Sequence, residues 1–268
     1  VDPEALRMLA DSLRTTMTAA SGAKLDAALS EVGWRDMLDE IPDIAIPLVF
    51  RLLGETGAHA SVLNDVVLSA AGAAAGGTPP LPFAGGRWVQ WEPGDGSGSA
   101  LDGELPIHHV AHGDPLPRAA LATGRRAVGW WLVGSSRAML SLARQHALDR
   151  VQFGRHISSF QAIRHRLSET LVAIEGAEAT LAAAAPPDDA DGLAALLAKA
   201  AAGQAALTAA RHCQQVLGGI GFTAEHPLHR HVKRSLLLDA LLGSSRELTR
   251  EAGTILRAKG FAPRLAQL

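Results

Sequence analysis

Long helical segments joined by short turns fill the chain from about residue 118 onward, and this pattern limits the fold more than any other feature. Apolar residues recur there at helical spacing, and alanine runs add helix propensity. The predicted helices span residues 118–150, 158–185, 190–217 and 227–259, with breakers at Pro186-Pro187, Gly218-Gly219 and Pro227. Four long helices with short connections predict an antiparallel four-helix bundle over residues 118–268.

The segment before the bundle divides into two parts. Residues 1–76 favour helices: Pro47 predicts the start of one that Gly54 ends, and an apolar run extends from Val62 to Ala75. Residues 77–117 are rich in proline and glycine and hold two short strand candidates, Arg87–Trp91 and Leu105–Val110. Two short strands cannot bury a core alone, and we therefore expect them to pack against the helices. The sequence predicts a mainly α protein with a reduced β-rich middle.

Charge and cysteine content exclude several classes of function. The 268 residues carry 25 Lys+Arg against 27 Asp+Glu, a net charge of −2, which gives no electrostatic reason to expect a nucleic-acid or anionic-membrane surface. The single cysteine, Cys213, excludes an internal disulfide and a multi-thiolate metal site, and it is expected to be a packed small residue. No apolar run is expected to span a bilayer. These features together predict a cytoplasmic protein.

Two segments of the chain fit specific sequence patterns. Residues 150–161 fit the pattern R-x-x-F-G-x-x-I-x-x-x-Q, and residues 215–225 fit Q-x-x-G-G-x-G-F-x-x-E. Together they resemble the C-terminal bundle of the acyl-CoA dehydrogenases, flavoproteins that introduce an α,β double bond into acyl-CoA thioesters. The resemblance implies an acyl-CoA dehydrogenase-like fold with a shortened N-terminal helical region, a reduced middle and a complete bundle.

The resemblance also implies roles for individual residues toward FAD. Arg150 would contact the pyrophosphate across a subunit interface, and the remaining motif residues would line the ADP part of the same dinucleotide. A pyrophosphate suits a planar cation and backbone N–H donors, and glycines allow the backbone to approach it closely. The cofactor-binding residues implied in this way are Arg150, Gln152, Phe153, Gln161, Gln215, Gly218 and Gly219.

The base that such chemistry needs is missing from its usual positions. Most family members carry a glutamate on the last bundle helix, at the position of Leu242, and others carry it on the first, at the position of Gly124. Neither residue accepts a proton. Asp239 precedes Leu242 by about one helical turn, and it would replace the glutamate only if the helix shifted.

The middle region departs from the family in the same way. Family members use a Trp-x-Thr segment to hold the flavin ring. The segment of this chain that resembles it most, Trp88 to Trp91, has no threonine. The two tryptophans are expected to serve packing. The ADP side of the site is therefore present, whereas the flavin side and the base are absent.

This split predicts a partner. The chain resembles the non-catalytic subunit of heteromeric α2β2 dehydrogenases that act in actinobacterial steroid side-chain breakdown, in which a catalytic subunit would supply the base, the flavin pocket and most contacts to the acyl-CoA. Two alternatives remain open: a self-sufficient homo-oligomeric enzyme that uses Asp239, and a non-enzymatic scaffold. Two histidine groups have spacings that suit a metal, but no metal site is expected. They are His108, His109 and His112, and His226, His229 and His231.

Overall fold

A computed structural model describes residues 2–92, 104–184 and 192–261 of the chain. The predicted turn at Pro186-Pro187 lies outside these residues. The helices of the N-terminal region are α1 (Pro3–Ala19), α2 (Ala23–Glu31), α3 (Trp34–Glu40), α4 (Pro42–Thr56) and α5 (Val62–Ala70). Those of the C-terminal region are α6 (Arg118–Asp149), α7 (Gln161–Ala183), α8 (Leu193–Leu217), α9 (Leu228–Ala240) and α10 (Ser245–Lys259). The mainly α fold class is confirmed.

Helix α4 corrects two predictions, because Pro47 lies inside the helix and does not begin it, and Gly54 lies inside the helix and does not end it. The helix continues to Thr56, and Gly57, with φ 72, follows it. A Cβ on Gly54 would lie 2.4 Å from the carbonyl oxygen of Trp131, so the glycine allows α4 to cross α6 at close range. Gly134 has the same role on α6, since its Cβ would lie 2.1 Å from the carbonyl oxygen of Arg51.

The middle region forms a small antiparallel sheet in the order β1 (Leu81–Phe83), β2 (Arg87–Trp91) and β3 (Ile107–Val110). Strand β1 was not predicted, and β3 starts two residues later than expected. The sheet packs on the helices, as predicted: the Trp91 ring stacks on that of Trp131 at 5.6 Å, and Asn64 Nδ2 donates to the carbonyl of Trp91 at 2.9 Å. Trp91 is therefore a packing residue, as its segment suggested.

The fourth predicted bundle helix is in fact two helices. Helices α9 and α10 are separated by a turn at residues 241–244, in which Leu242 has φ 59 and Gly243 has φ 100. Residues 240–242 run along the free side of β1, where the amide of Leu242 donates to the carbonyl of Pro82 at 2.8 Å. This strand-like pairing competes with helix formation, so the helix breaks where the sheet meets the bundle.

Helix α8 runs through the middle of the bundle. The segment Leu193–Phe222 is long and apolar enough to cross a membrane by length and composition, which the sequence expectation had missed, but 67% of its most apolar window is buried inside the protein. Cys213 is fully buried on α8, as expected, and burial raises the pKa of its thiol to about 12. The helix thus has the properties of a bundle core.

Candidate functional site

The first motif begins where α6 ends and folds into a two-residue hairpin. Strands β4 (Val151–Gln152) and β5 (Arg155–His156) pair in antiparallel fashion, with Phe153 and Gly154 at the turn. Both turn residues have positive φ, 52 and 76, which is the backbone of a type I′ turn. The sequence reading had missed this hairpin, although its glycine is typical of such turns.

Phe153 is unfavourable for folding at this position. A non-glycine residue with positive φ costs about 1–2 kcal/mol, and the side chain is 91% exposed. Its ring makes an edge-to-face contact with the Phe160 ring, and the two centroids are 6.1 Å apart. A strained and exposed aromatic ring gains little from folding, so the fold alone does not account for phenylalanine at this position.

The polar residues of the first motif surround this hairpin. Arg150, Gln152 and Gln161 are all exposed, and Gln161 is the first residue of α7. The Arg150 guanidinium forms no ion pair with the residues that the structure describes. The amide of Ile157 donates to the Arg150 carbonyl at 2.8 Å, which holds the backbone on either side of the hairpin together.

The second motif forms the end of α8 and a 3-10 turn over Gly218–Phe222. Gln215 is exposed, and Gly218 has φ 65, which favours glycine. Gly219 does not have positive φ, and no described atom lies within 4 Å of the position that a Cβ would occupy. Folding therefore does not require glycine at residue 219, whereas close approach of a ligand to the backbone would.

The two motifs meet at one end of the bundle. A small apolar cluster joins Ala147 on α6, Leu217 on α8 and Leu228 on α9, and Ile157 and Ile163 pack against it from the first motif. The His146 and His226 rings are 6.5 Å apart across the same junction. All seven sequence-predicted cofactor residues therefore lie at this end, and they are exposed or partly exposed.

The two positions at which the family carries its base lie against each other. A Cβ on Gly124 would lie 2.8 Å from Leu242 Cδ1 and 3.1 Å from Val67 Cγ2, and Leu242 is fully buried. Hydrocarbon fills the space between the two positions, so a carboxylate has no room there.

Asp239 is engaged elsewhere. Its Oδ1 accepts a hydrogen bond from the amide of Ser245 at 3.1 Å, and a Cβ on Gly203 would lie 2.1 Å from that oxygen. The carboxylate thus lies between α8 and the start of α10, whereas Leu242 lies against α6. In this structure the Asp239 carboxylate therefore does not lie at either base position.

A buried lysine that sequence reasoning missed holds this turn. Lys199 is fully buried on α8, and its Nζ donates to the carbonyls of Asp239 at 2.5 Å and Gly243 at 2.6 Å. Burial lowers the pKa of Lys199 to about 7. From α6, Arg125 Nε donates to the Leu242 carbonyl at 3.1 Å. The backbone of the turn is therefore fixed from two helices.

The two histidine groups and a cavity beside α10 do not form part of the candidate cofactor site. The residues described contain no group of three or more side chains suited to a metal, and His226 Nδ1 accepts a local bond from the amide of Leu228 at 3.1 Å. A cavity of about 550 Å³ opens between α6 and α10, and Arg125 is one of the residues that line it. Leu242 does not line this cavity.

Comparison with known proteins identifies the family of the bundle. The family described as "Acyl-CoA dehydrogenase, C-terminal domain" matches residues 112–253, more than half of the chain. Acyl-CoA dehydrogenase IpdE2 of Mycobacterium tuberculosis is 40% identical over 118 residues, covering 44% of this chain and 36% of that protein. FadE34 of the same organism is 37% identical over 130 residues, covering 47% of this chain and 18% of that protein. The match therefore spans about a third of these relatives or less.

Solved structures support the fold over the whole chain. A variant of the Tcur3481-Tcur3483 steroid ACAD aligns with a TM-score of 0.71 at 19% identity, covering 96% of this chain and 99% of that chain. The ChsE4-ChsE5 complex of Mycobacterium tuberculosis aligns with a TM-score of 0.65 at 20% identity, covering 98% and 99%. The two motifs, the bundle that presents them and these matches lead to one conclusion: the chain belongs to the acyl-CoA dehydrogenase family.

Proposed function

We propose that this chain is a non-catalytic subunit of an FAD-dependent acyl-CoA dehydrogenase, and that it contributes the ADP side of a shared FAD site. A catalytic acyl-CoA dehydrogenase subunit would supply the base, the flavin pocket and most of the contacts to the acyl-CoA. The observation that carries the proposal is the contact between Leu242 and Gly124. Neither base position carries a carboxylate, whereas the residues proposed to bind the dinucleotide are exposed or partly exposed.

The residues at the end of the bundle fit the ADP part of FAD. Arg150 offers an exposed planar cation without a described ion-pair partner, and Gly219 offers open backbone. Phe153, Gln152, Gln161, Gln215 and Gly218 would complete the surface. When bound, the flavin supplies the acceptor for the hydride that leaves the β-carbon of the substrate. This chain's residues would hold and orient the dinucleotide.

Exposed apolar side chains around the site support a protein partner. Phe222 is 69% exposed and Val151 is 49% exposed, and they lie in the second and the first motif, respectively. Exposed apolar groups gathered at one end of a molecule are typical of an interface. The similarity of fold to a chain of the ChsE4-ChsE5 complex supports a heteromer, and we propose an α2β2 assembly.

For the substrate, we propose a steroid side-chain CoA ester. The support is a similarity of fold to a steroid ACAD and of sequence to mycobacterial acyl-CoA dehydrogenases. The chemistry is α,β-desaturation, in which a base removes the α-proton while the hydride leaves the β-carbon. Because neither Leu242 nor Gly124 removes a proton, this step depends on a base from the partner.

Co-expression tests the proposal. The chain is purified alone and with acyl-CoA dehydrogenase chains from the same genome, and flavin absorbance and acyl-CoA dehydrogenation are measured for each preparation. We expect flavin and activity only in a complex that contains a second, unlike chain. Stoichiometric FAD and activity in the chain alone would support a self-sufficient enzyme. A complex with flavin bound wholly by the partner would support a scaffold.

A further inference from the structure

Arg155 lies in the first motif hairpin and has no role in the site as described so far. It is the first residue of β5 and the direct cross-strand neighbour of Gln152. Its side chain is exposed and forms no ion pair with the described residues. An unpaired guanidinium beside a proposed anion site is a candidate for binding that anion.

The pleat of the hairpin places Arg155 on the same face as the proposed FAD contacts. Residues that face each other across an antiparallel pair point to the same side, so Arg155 shares a face with Gln152. Side chains alternate along a strand, so Arg150, two residues before Gln152, belongs to that face as well. The bond between the Ile157 amide and the Arg150 carbonyl extends the pairing to this residue.

Phe160 holds the Arg155 side chain in place. The guanidinium carbon lies 4.2 Å from the centroid of the Phe160 ring, within the range of a cation–π contact. The same ring makes the edge-to-face contact with Phe153. The stack therefore connects Arg155 to the exposed ring at the turn and restricts a side chain that would otherwise be mobile.

We propose that Arg155 is a second cation of the dinucleotide site, which binds the pyrophosphate together with Arg150, and that Phe160 is its positioning residue. The inference rests on the proposed function. A pyrophosphate has two phosphate groups, and one guanidinium matches the oxygens of one phosphate. Two arginines on one hairpin face supply a planar cation for each. Stacking on Phe160 lowers the entropy that Arg155 loses on binding.

Nucleotide titration of the full chain tests the inference. Binding of ADP and of adenosine is measured by calorimetry for the wild type, Arg155→Gln and Arg150→Gln, with Arg246→Gln as the matched control. Arg246 is an exposed arginine on α10, which packs against the opposite end of α8. Because a charged hydrogen bond contributes about 1.5–3 kcal/mol, we expect Arg155→Gln to weaken ADP binding about tenfold or more. Adenosine binding should not change.

Two substitutions at Phe160 separate positioning from packing. Phe160→Trp keeps an aromatic face for the guanidinium, and Phe160→Leu keeps apolar bulk without that face. We expect near wild-type ADP affinity for Phe160→Trp. For Phe160→Leu we expect a loss in the same direction as for Arg155→Gln, with no change in thermal midpoint relative to Phe160→Trp.

The outcomes distinguish this inference from the function on which it rests. Loss of ADP affinity in Arg150→Gln together with unchanged affinity in Arg155→Gln would overturn the second cation and leave the proposed ADP site intact. Unchanged ADP affinity in both variants would overturn both, and so would full FAD occupancy of the co-purified complex with either variant. Equal losses of ADP and adenosine affinity in Arg155→Gln would also overturn the second cation, because an effect on folding weakens both ligands.

Discussion

The contact between the two base positions is open to a double-mutant cycle. Gly124→Ala places a methyl group 2.8 Å from Leu242 Cδ1 and 3.1 Å from Val67 Cγ2, and both distances are shorter than ordinary van der Waals contact. Overpacking of this kind costs about 1–3 kcal/mol. The gain from replacing a glycine inside a helix is about 1 kcal/mol. We therefore expect Gly124→Ala to lower the free energy of unfolding by about 1 kcal/mol.

Removal of the opposing side chain should reverse this effect. Leu242→Ala alone is expected to cost about 2–5 kcal/mol, because Leu242 is fully buried. In that background the new methyl group of Gly124→Ala meets only Val67, so the second substitution should become neutral or stabilising. The expected coupling between the two sites is about 1–2 kcal/mol, within the range for residues in contact.

Urea denaturation followed by circular dichroism measures the four free energies. Gly176→Ala is the matched control: Gly176 lies inside α7 with no described atom within 4 Å of its Cβ position, so alanine should stabilise the protein by about 1 kcal/mol. If Gly124→Ala changes the free energy of unfolding equally in the wild type and in the Leu242→Ala background, the two side chains do not occupy one space. The reasoning would then be wrong.

Three further predictions concern the rest of the chain. Gly54→Ala should lower the thermal midpoint strongly, because its methyl group would lie 2.4 Å from backbone atoms of α6, and a calorimetric scan measures this. The pKa of Lys199 is about 7 in the folded chain, against 10.5 in the unfolded chain. Between these pH values the unfolded chain binds more protons than the folded chain. Lys199 therefore makes the free energy of unfolding rise with pH across that window. Lys199→Met should remove that rise in urea titrations at several pH values. Native Cys213 should resist alkylation at neutral pH until the chain unfolds, because burial raises the pKa of its thiol to about 12, and mass spectrometry measures the adduct.

Most of the bundle was predictable from the sequence. Helical periodicity and breakers predicted α6, α7 and α8 to within a few residues, because those helices are long and bounded by glycine or proline. The break between α9 and α10 also has a sequence signal, because Gly243 is followed by Ser244 and Glu247, which form a capping box at the start of α10, but the prediction of one helix over residues 227–259 missed it. Leu241 and Leu242 are good helix formers, and it is the hydrogen bonds to β1 and Arg125 that turn the backbone there.

The structural roles of Lys199 and Gly54 were not predicted from the sequence. Gly54 looks like a stop signal in sequence, but its role depends on the partner helix that crosses it. Lys199 is an isolated charge within the apolar part of α8, and that isolation was a signal of a buried, hydrogen-bonded group. The contact between Leu242 and Gly124 could be found only from the fold, since Gly124 lies on α6 and Leu242 lies in the turn between α9 and α10.

Flavin retention in the assembled complex tests the shared site most directly. The complex of this chain with its catalytic partner is purified with wild-type chain, Arg150→Gln or Arg246→Gln, and FAD per complex is measured from the flavin absorbance. We expect Arg150→Gln to assemble with the partner but to lose most of its FAD, while Arg246→Gln retains it. Full FAD occupancy in the Arg150→Gln complex would contradict the proposal that this chain holds the ADP side of the cofactor.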